Sequence, residues 1–254
     1  MPLQRPAIAA LLLFAVCSCT GSQGPVPAPP GAIRVLFIGN SYTDYNGSIP
    51  AVLQAMADQT GVPLVAHGSL SWGRSLEWHF HRGQARRAIA RGGWDYVVLQ
   101  DHSRQAFEHP EKLAEYARRF DEQIQRIGAR TVFFVTWARQ HQPDKQAVIV
   151  REYERAALEM GAMIAPVGLA WQRVIREDAE VKLHTNDRSH PTPAGSYLAA
   201  CVFYHTLLGE PPAPLPAKIQ TGKVTIDLPP EQALVLQRAA AAVSAGTASQ
   251  PVRP

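Results

Sequence analysis

Short apolar runs alternate along the chain with longer stretches whose apolar positions recur at helical spacing. Ile33-Arg34-Val35-Leu36-Phe37-Ile38 reads as a first strand. A helix is expected over Ile49 to Gln59, with Ser48 as N-cap and Pro50 in its first turn. Val62 to Ala66 predicts a second strand, Ser75 to Arg91 one long helix ended by Gly92-Gly93, and Tyr96-Val97-Val98-Leu99 a buried strand. A helix over Glu111 to Ile127 stops at Gly128. A strand follows from Thr131 to Thr136, then a helix from Gln146 to Met160 stopped by Gly161. Ala162 to Val167 supplies the fifth strand. Continuous apolar strands separated by helices predict a parallel sheet covered on both faces.

The end of the domain is punctuated clearly. Thr192 is placed to cap a helix that starts at Pro193, runs through Ala194 to Leu208 and stops at Gly209. Pro211 to Pro216 is a loop. Pro229-Pro230-Glu231 opens a last helix to about Val243, and the final residues read as frayed.

The start of the chain carries a different pattern. Arg5 precedes an apolar run from Ala7 to Val16, too short to span a bilayer but suited to a signal sequence. It ends in Val16-Cys17-Ser18-Cys19, which resembles a bacterial lipoprotein box. That reading makes residues 1–18 a signal peptide and Cys19 the lipidated N-terminus; the alternative is an ordinary secretory peptide cut nearby. Both predict export. Residues 19–32, with four prolines, read as an extended tether.

Composition narrows the rest. At 254 residues and 46 % hydrophobic, the chain has enough apolar material for a sizeable core. The net charge of +4 comes from mixed signs, and Arg86, Arg87 and Arg91 read as a solvated helix face rather than a nucleic-acid groove. Three cysteines exclude a disulfide-dense scaffold, and their positions exclude a Cys-rich zinc site. Cys201, in the apolar stretch of a helix, is expected to be a buried structural thiol.

In an open parallel sheet, ligands bind beyond the carboxyl ends of the strands. The polar residues found there are Gly39-Asn40-Ser41-Tyr42-Thr43 after the first strand and His67 to Arg74 after the second. Gln100-Asp101-His102-Ser103 follow the third and Trp137 the fourth, and Asp187-Arg188-Ser189-His190 lie just before the Thr192-capped helix. A serine nucleophile needs a base, and the base an orienting group; Ser41, His190 and Asp187 can fill those roles.

Gly39-Asn40-Ser41-Tyr42-Thr43 resembles the first block of the SGNH (GDSL-like) hydrolase superfamily, with Asn40 where an aspartate is usual. Asp187-Arg188-Ser189-His190-Pro191 resembles its last block. Val97-Val98-Leu99-Gln100, Thr136-Trp137-Ala138 and Pro166-Val167-Gly168 resemble the same bacterial branch, so the likeness covers about residues 33–210. The resemblance implies that Ser41 is the nucleophile, His190 the base and Asp187 its partner. It makes the backbone N–H groups of Ser41 and Gly73 oxyanion donors, with Gly68 the alternative second-block glycine. The third block lacks the usual asparagine. Gln100 is assigned as third donor, with Ser103 as the alternative, and Asn40 and Trp137 are assigned to the substrate pocket.

His79 and His81, two apart on a helix, face different sides and suit no common metal. His102 reads equally as a substrate contact or a structural residue, and His184 completes no persuasive metal site. Trp72, Trp137 and Trp171 could all be core, and pocket lining is favoured for Trp137 because it ends a strand on the rim. The chain is therefore expected to be a flavodoxin-like three-layer α/β/α sandwich of about five parallel strands spanning residues 33–245, with a tail over 246–254. The function expected is a cofactor-independent, metal-independent serine esterase, lipid-anchored outside the cytoplasm, acting on small acyl groups carried by carbohydrate. An O-acyltransferase on an extracytoplasmic glycan and a non-catalytic glycan-binding lipoprotein are the alternatives.

Overall fold

The computed structural model describes residues 25–211 and 214–245. The expected signal sequence (residues 1–18), Cys19 and the tail 246–254 lie outside the described residues. In chain order the elements are β1 (Ile33–Gly39), α1 (Ser41–Asp44), a 3-10 turn at Tyr45–Gly47, α2 (Ile49–Thr60), β2 (Leu64–Leu70), α3 (Leu76–Arg82), α4 (Gln84–Ala90) and β3 (Tyr96–Leu99). Then come α5 (Gln105–Glu108), α6 (Pro110–Arg126), β4 (Arg130–Phe134), α7 (Lys145–Met160), β5 (Met163–Ala165) and α8 (Val167–Glu177). The last are α9 (Pro193–Leu208), β6 (Lys218–Gln220), β7 (Thr225–Asp227) and α10 (Pro230–Ser244).

β1 to β5 form one parallel sheet of order β2-β1-β3-β4-β5. Along β1, Val35 and Phe37 enter one core and Leu36 and Ile38 the other. That is the period of two expected of a strand buried on both faces. The first core packs under α2, α8, α9 and α10, and the second under α3, α4, α6 and α7. The predicted three-layer α/β/α sandwich is the observed fold. The strand order reverses between β1 and β3, so a crevice forms at the carboxyl ends of these two strands.

Several elements differ from expectation for identifiable reasons. The long helix expected over Ser75 to Arg91 is two helices, because Gly83 takes a left-handed φ of 74° and its N–H closes α3 on the His79 carbonyl. β2 starts later than expected because Val62 N–H still bonds the Ala57 carbonyl at the end of α2. It also continues through the polar His67-Gly68-Ser69, since pairing with β1 runs from Ile33↔Leu64 to Gly39↔Leu70. Helix α8 and the β6–β7 hairpin were not expected. The tether is not wholly free of the domain: Val26 packs against the second core, and its carbonyl accepts from the Arg34 guanidinium. Cys201 is fully buried in α9, as expected. Among the described residues no helix is long and apolar enough to cross a membrane.

Candidate active site

The turn after β1 is built to hold Ser41 at the sheet's carboxyl edge. The Asn40 side chain caps α1 by accepting from Tyr42 N–H at 3.1 Å. Behind it stands Gln100, fully buried, whose Oε1 accepts from Asn40 N–H at 2.8 Å and from the Thr43 hydroxyl at 3.0 Å. Gly39 is required by this close approach, since a Cβ there would lie 2.6 Å from Gln100 Oε1 and 2.7 Å from Thr43 Oγ1. His79 Nε2 bonds the Gly39 carbonyl at 2.9 Å from the other side.

The turn before α9 brings the second half of the site. The Ser41 Oγ lies 2.8 Å from His190 Nε2, and His190 Nδ1 lies 2.5 Å from Asp187 Oδ2. With the imidazole proton on Nδ1, facing the carboxylate, Nε2 is free to accept the Ser41 proton. Asp187 Oδ1 is held in turn by the N–H groups of Ser189 (2.8 Å) and His190 (2.9 Å) and by the Thr185 hydroxyl (2.8 Å). Partial burial pushes the Asp187 carboxyl up, but the bonds from the His190 ring, these two amides and Thr185 outweigh it. The group titrates well below the usual carboxylate range. Arg188, inside this turn, takes a left-handed φ of 62°, which is strained for a side chain with a Cβ.

Beneath the site three rings stack in a column. Trp171 lies 4.0 Å from Trp137, and Trp137 lies 4.6 Å from Tyr42, with interplanar angles of 10° and 6°. The Tyr42 ring meets His190 edge-on at 5.7 Å, and its hydroxyl pairs with Ser189 Oγ at 2.8 Å. Trp137 donates its indole N–H to the Ser189 carbonyl at 2.9 Å. The column thus props the Asp187–His190 turn from below.

Three sequence assignments need correction. Trp137 is fully buried; it sits under the site because its ring fills the column between Tyr42 and Trp171. Asn40 is also buried, its Nδ2 donating to the Arg74 carbonyl at 3.0 Å and the Asp101 carbonyl at 3.4 Å, so it braces the site rather than facing substrate. Gln100 is fully buried behind the Ser41 turn, with its Oε1 taken by Asn40 and Thr43 and one N–H of its Nε2 donating to the Asp101 carbonyl, so it braces that turn rather than facing an oxyanion. The alternative, Ser103, is buried and accepts from Arg139 at 3.0 Å. Gly68 lies within β2, paired with Phe37, whereas Gly73 lies in the exposed loop with a φ of 67°. Among the described residues the Gly73 N–H has no hydrogen-bond partner.

Other residues of the rim were named from sequence only as strand-end groups, and Tyr45 was not named at all. Asp101 is buried at the end of β3 and accepts from Leu76 N–H at 2.9 Å and His102 N–H at 2.6 Å, tying α3 to the third loop. A crevice of about 490 Å³ opens between these loops, lined by Gly73, Arg74, Ser75, Trp78, His102 and Gln105. Tyr45 stacks on the His190 ring at 4.6 Å, and Trp72 packs on Tyr45. The helical spacing of Tyr45 from Ser41 was a signal for the first; nothing in the sequence distinguished Trp72 from a core tryptophan. His81 Nε2 bonds the Tyr116 hydroxyl, while His79 reaches the Gly39 carbonyl, so the two histidines do point apart. His184 bonds the Ala138 carbonyl and packs on Trp171.

An open α/β sheet with a serine–imidazole–carboxylate chain at its carboxyl edge defines the arrangement of a serine hydrolase. No protein-family model and no curated protein matches the chain. Among solved structures, it resembles a candidate SGNH hydrolase from Slackia heliotrinireducens at 27% identity, covering 69% of this chain and 98% of that one, with a TM-score of 0.58. It also resembles a DUF4886 family protein from Bacteroides uniformis, at 19% identity over 87% of this chain and 98% of that one, TM-score 0.65. The fold of Axe2, an acetylxylan esterase from Geobacillus stearothermophilus, matches at 16% identity over 68% of this chain and 93% of that one, TM-score 0.53. The chain therefore has the fold of the SGNH hydrolases, and its likeness to the Slackia heliotrinireducens protein supports a serine ester hydrolase.

Proposed function

We propose that this protein is an exported carboxylic-ester hydrolase that works through Ser41, His190 and Asp187 and an acyl-enzyme. The observation that carries the reading is the continuous hydrogen-bond chain from Ser41 Oγ through the imidazole to Asp187. Ser41 attacks the ester carbonyl while His190 Nε2 takes its proton. The same proton then goes to the leaving alcohol. Water, deprotonated by His190, completes the cycle by attacking the acyl-Ser41 carbonyl. Asp187 keeps the imidazole in the productive tautomer and stabilises its charged form. The developing oxyanion is assigned to the N–H groups of Ser41 and Gly73. What favours Gly73 is its exposed loop beside the crevice and its uncommitted N–H.

What supports a substrate class is the rim, which is polar and open with aromatic rings beside it. It suits a small acyl group on a hydroxylated alcohol, with carbohydrate acetates as the first candidates. Export rests on the apolar run Ala7 to Val16 and the box ending in Cys19. On this reading lipid at Cys19 holds the enzyme at a membrane outside the cytoplasm. Mass spectrometry of the mature N-terminus tests that part: lipid on Cys19 supports it, and an unmodified N-terminus elsewhere contradicts it.

Hydrolysis of a chromogenic acetyl ester by the wild type, lost in Ser41→Ala, tests the activity. Transfer of the acetyl group to an added glycan instead of water would assign the acyltransferase alternative. No hydrolysis and no transfer would leave a glycan-binding role.

A further inference from the structure

Trp72 is the exception among the chain's tryptophans at the sheet edge. It is 58 % exposed, whereas Trp137 and Trp171 are buried beneath the site. Its exposure is not accompanied by freedom. The indole N–H donates to Asp44 Oδ2 at 2.7 Å, and the ring packs on Tyr45 at 5.4 Å and 29°. Tyr45 in turn stacks on His190 at 4.6 Å and 14°, which puts the Trp72 ring 6.3 Å from the imidazole. At the base of the loop, Ser71 N–H bonds the Gly39 carbonyl, fixing Trp72 to the turn that carries Ser41. A rigid, solvent-facing aromatic side chain held by a carboxylate is preorganised to receive something.

The chemistry says which part of an ester arrives there. The imidazole that takes the Ser41 proton must deliver it to the leaving oxygen, so the alcohol half of the substrate lies against His190. A ring in the His190 stack therefore meets the alcohol, not the acyl group. We propose that Trp72, latched by Asp44, is a specificity determinant that forms the leaving-alcohol subsite and packs face to face against a ring-shaped alcohol. This rests on the assignment of Ser41 and His190 given above. Beyond Asp44 the surface continues into a groove of about 540 Å³ along the free edge of β2. Gln54, Asp58, His67, Gln84 and Lys223 line it. An alcohol longer than one ring thus meets hydrogen-bonding side chains rather than an apolar wall.

The test holds the acyl group constant and varies the alcohol. The values of kcat/KM are measured for ethyl acetate, 4-nitrophenyl acetate and a monoacetylated methyl hexoside with wild type, Trp72→Ala and Trp72→Phe. In Trp72→Ala the ratio of each ring ester to ethyl acetate falls about tenfold, the loss of one aromatic packing contact. Trp72→Phe, which keeps a ring, recovers most of that ratio. All three esters give the same acetyl-enzyme, so rapid-mixing measurements place the change in acylation. An unchanged ratio, whatever the total activity, overturns the proposal, as does a change confined to deacylation. A wild type that hydrolyses none of the esters instead overturns the assignment of Ser41 and His190, and this inference falls with it.

Discussion

Replacing Asp101 by asparagine should make the protein more stable at neutral and alkaline pH but not at acid pH. Asp101 is buried beside the site, with no cation paired to it among the described residues. Loss of hydration pushes its carboxyl up from 3.8 to about 6. The bonds from Leu76 and His102 N–H pull it back only in part, and Glu77 adds a small upward push. A folded-state value above the unfolded one means that the folded protein binds more protons between those limits. The contribution to stability is then complete below pH 3.8 and is lost as the pH rises through about 6. A gap of about two pKa units corresponds to a cost of about 3 kcal/mol at pH 8. Asparagine keeps an oxygen to accept from both N–H groups and cannot ionise. Its new NH₂ needs a partner of its own, and leaving that unmet costs about 1–3 kcal/mol. The net expectation at pH 8 relative to pH 4 is a swing of about 3 kcal/mol in favour of the variant, because the NH₂ cost is the same at both pH values. Urea denaturation of wild type and variant at pH 4, 5, 6 and 8 measures it. A difference that does not vary with pH would refute the reasoning, and one that favours the wild type increasingly at high pH would show that the charge stabilises the fold.

Gly39→Ala should cost about 1–3 kcal/mol, since the new Cβ displaces the Gln100 and Thr43 groups that pair behind the Ser41 turn; thermal melting and kcat should fall together. Trp137→Ala should lose about 3–5 kcal/mol by removing the middle ring of the column, and Trp137→Phe should retain the stack but free the Ser189 carbonyl. Gln100→Ala should lower stability and activity in parallel, with no selective loss in kcat among folded molecules, because its amide braces Asn40 and Thr43; a 10²-fold kcat loss at unchanged stability would restore it as an oxyanion donor. Asp187→Asn should reduce kcat by about 10²-fold or more with little change in KM, because the amide holds the wrong imidazole tautomer.

The layered sheet was legible because β1, β3, β4 and β5 carry compact runs of mostly apolar residues and the helices carry strong end signals. β3 matches expectation at both ends, and the Thr192–Pro193 start of α9 and the Ser48 cap of α2 are where the residue types put them. The misses have physical causes. A glycine inside a helical pattern costs little if the helix continues, so Gly83 alone did not reveal that it caps α3 in a left-handed conformation. His67-Gly68-Ser69 is polar because β2 is an edge strand, and only its pairing with β1 makes it a strand. The missed helix α8 did carry a signal, with Val167, Ala170, Trp171 and Val174 at helical spacing and all buried. Ser41, His190 and Asp187, which the structure joins in one hydrogen-bond chain, could be paired from the sequence because the proposed roles depend on residue type and order. Gln100 and Trp137 were misplaced because their roles depend on where their polar atoms are spent. The amide of Gln100 and the indole N–H of Trp137 bond groups 60 and 52 residues away, which no local pattern encodes. For Trp72 a core position stayed open for the opposite reason: only the assembled rim shows its ring more than half exposed.

If Ser41, activated by His190, is the nucleophile, it must react with an electrophile that mimics an ester carbonyl. The most direct measurement is reaction of the purified protein with a fluorophosphonate ester, followed by peptide mapping and by hydrolysis of a chromogenic acetyl ester. A single labelled peptide carrying Ser41, with loss of hydrolysis in step with labelling, is the expected result. Neither label nor activity should remain in Ser41→Ala, and Ser41→Ala with His190→Ala should be little worse than either alone. An active enzyme labelled at another serine, or a Ser41→Ala variant that keeps its activity, would contradict it.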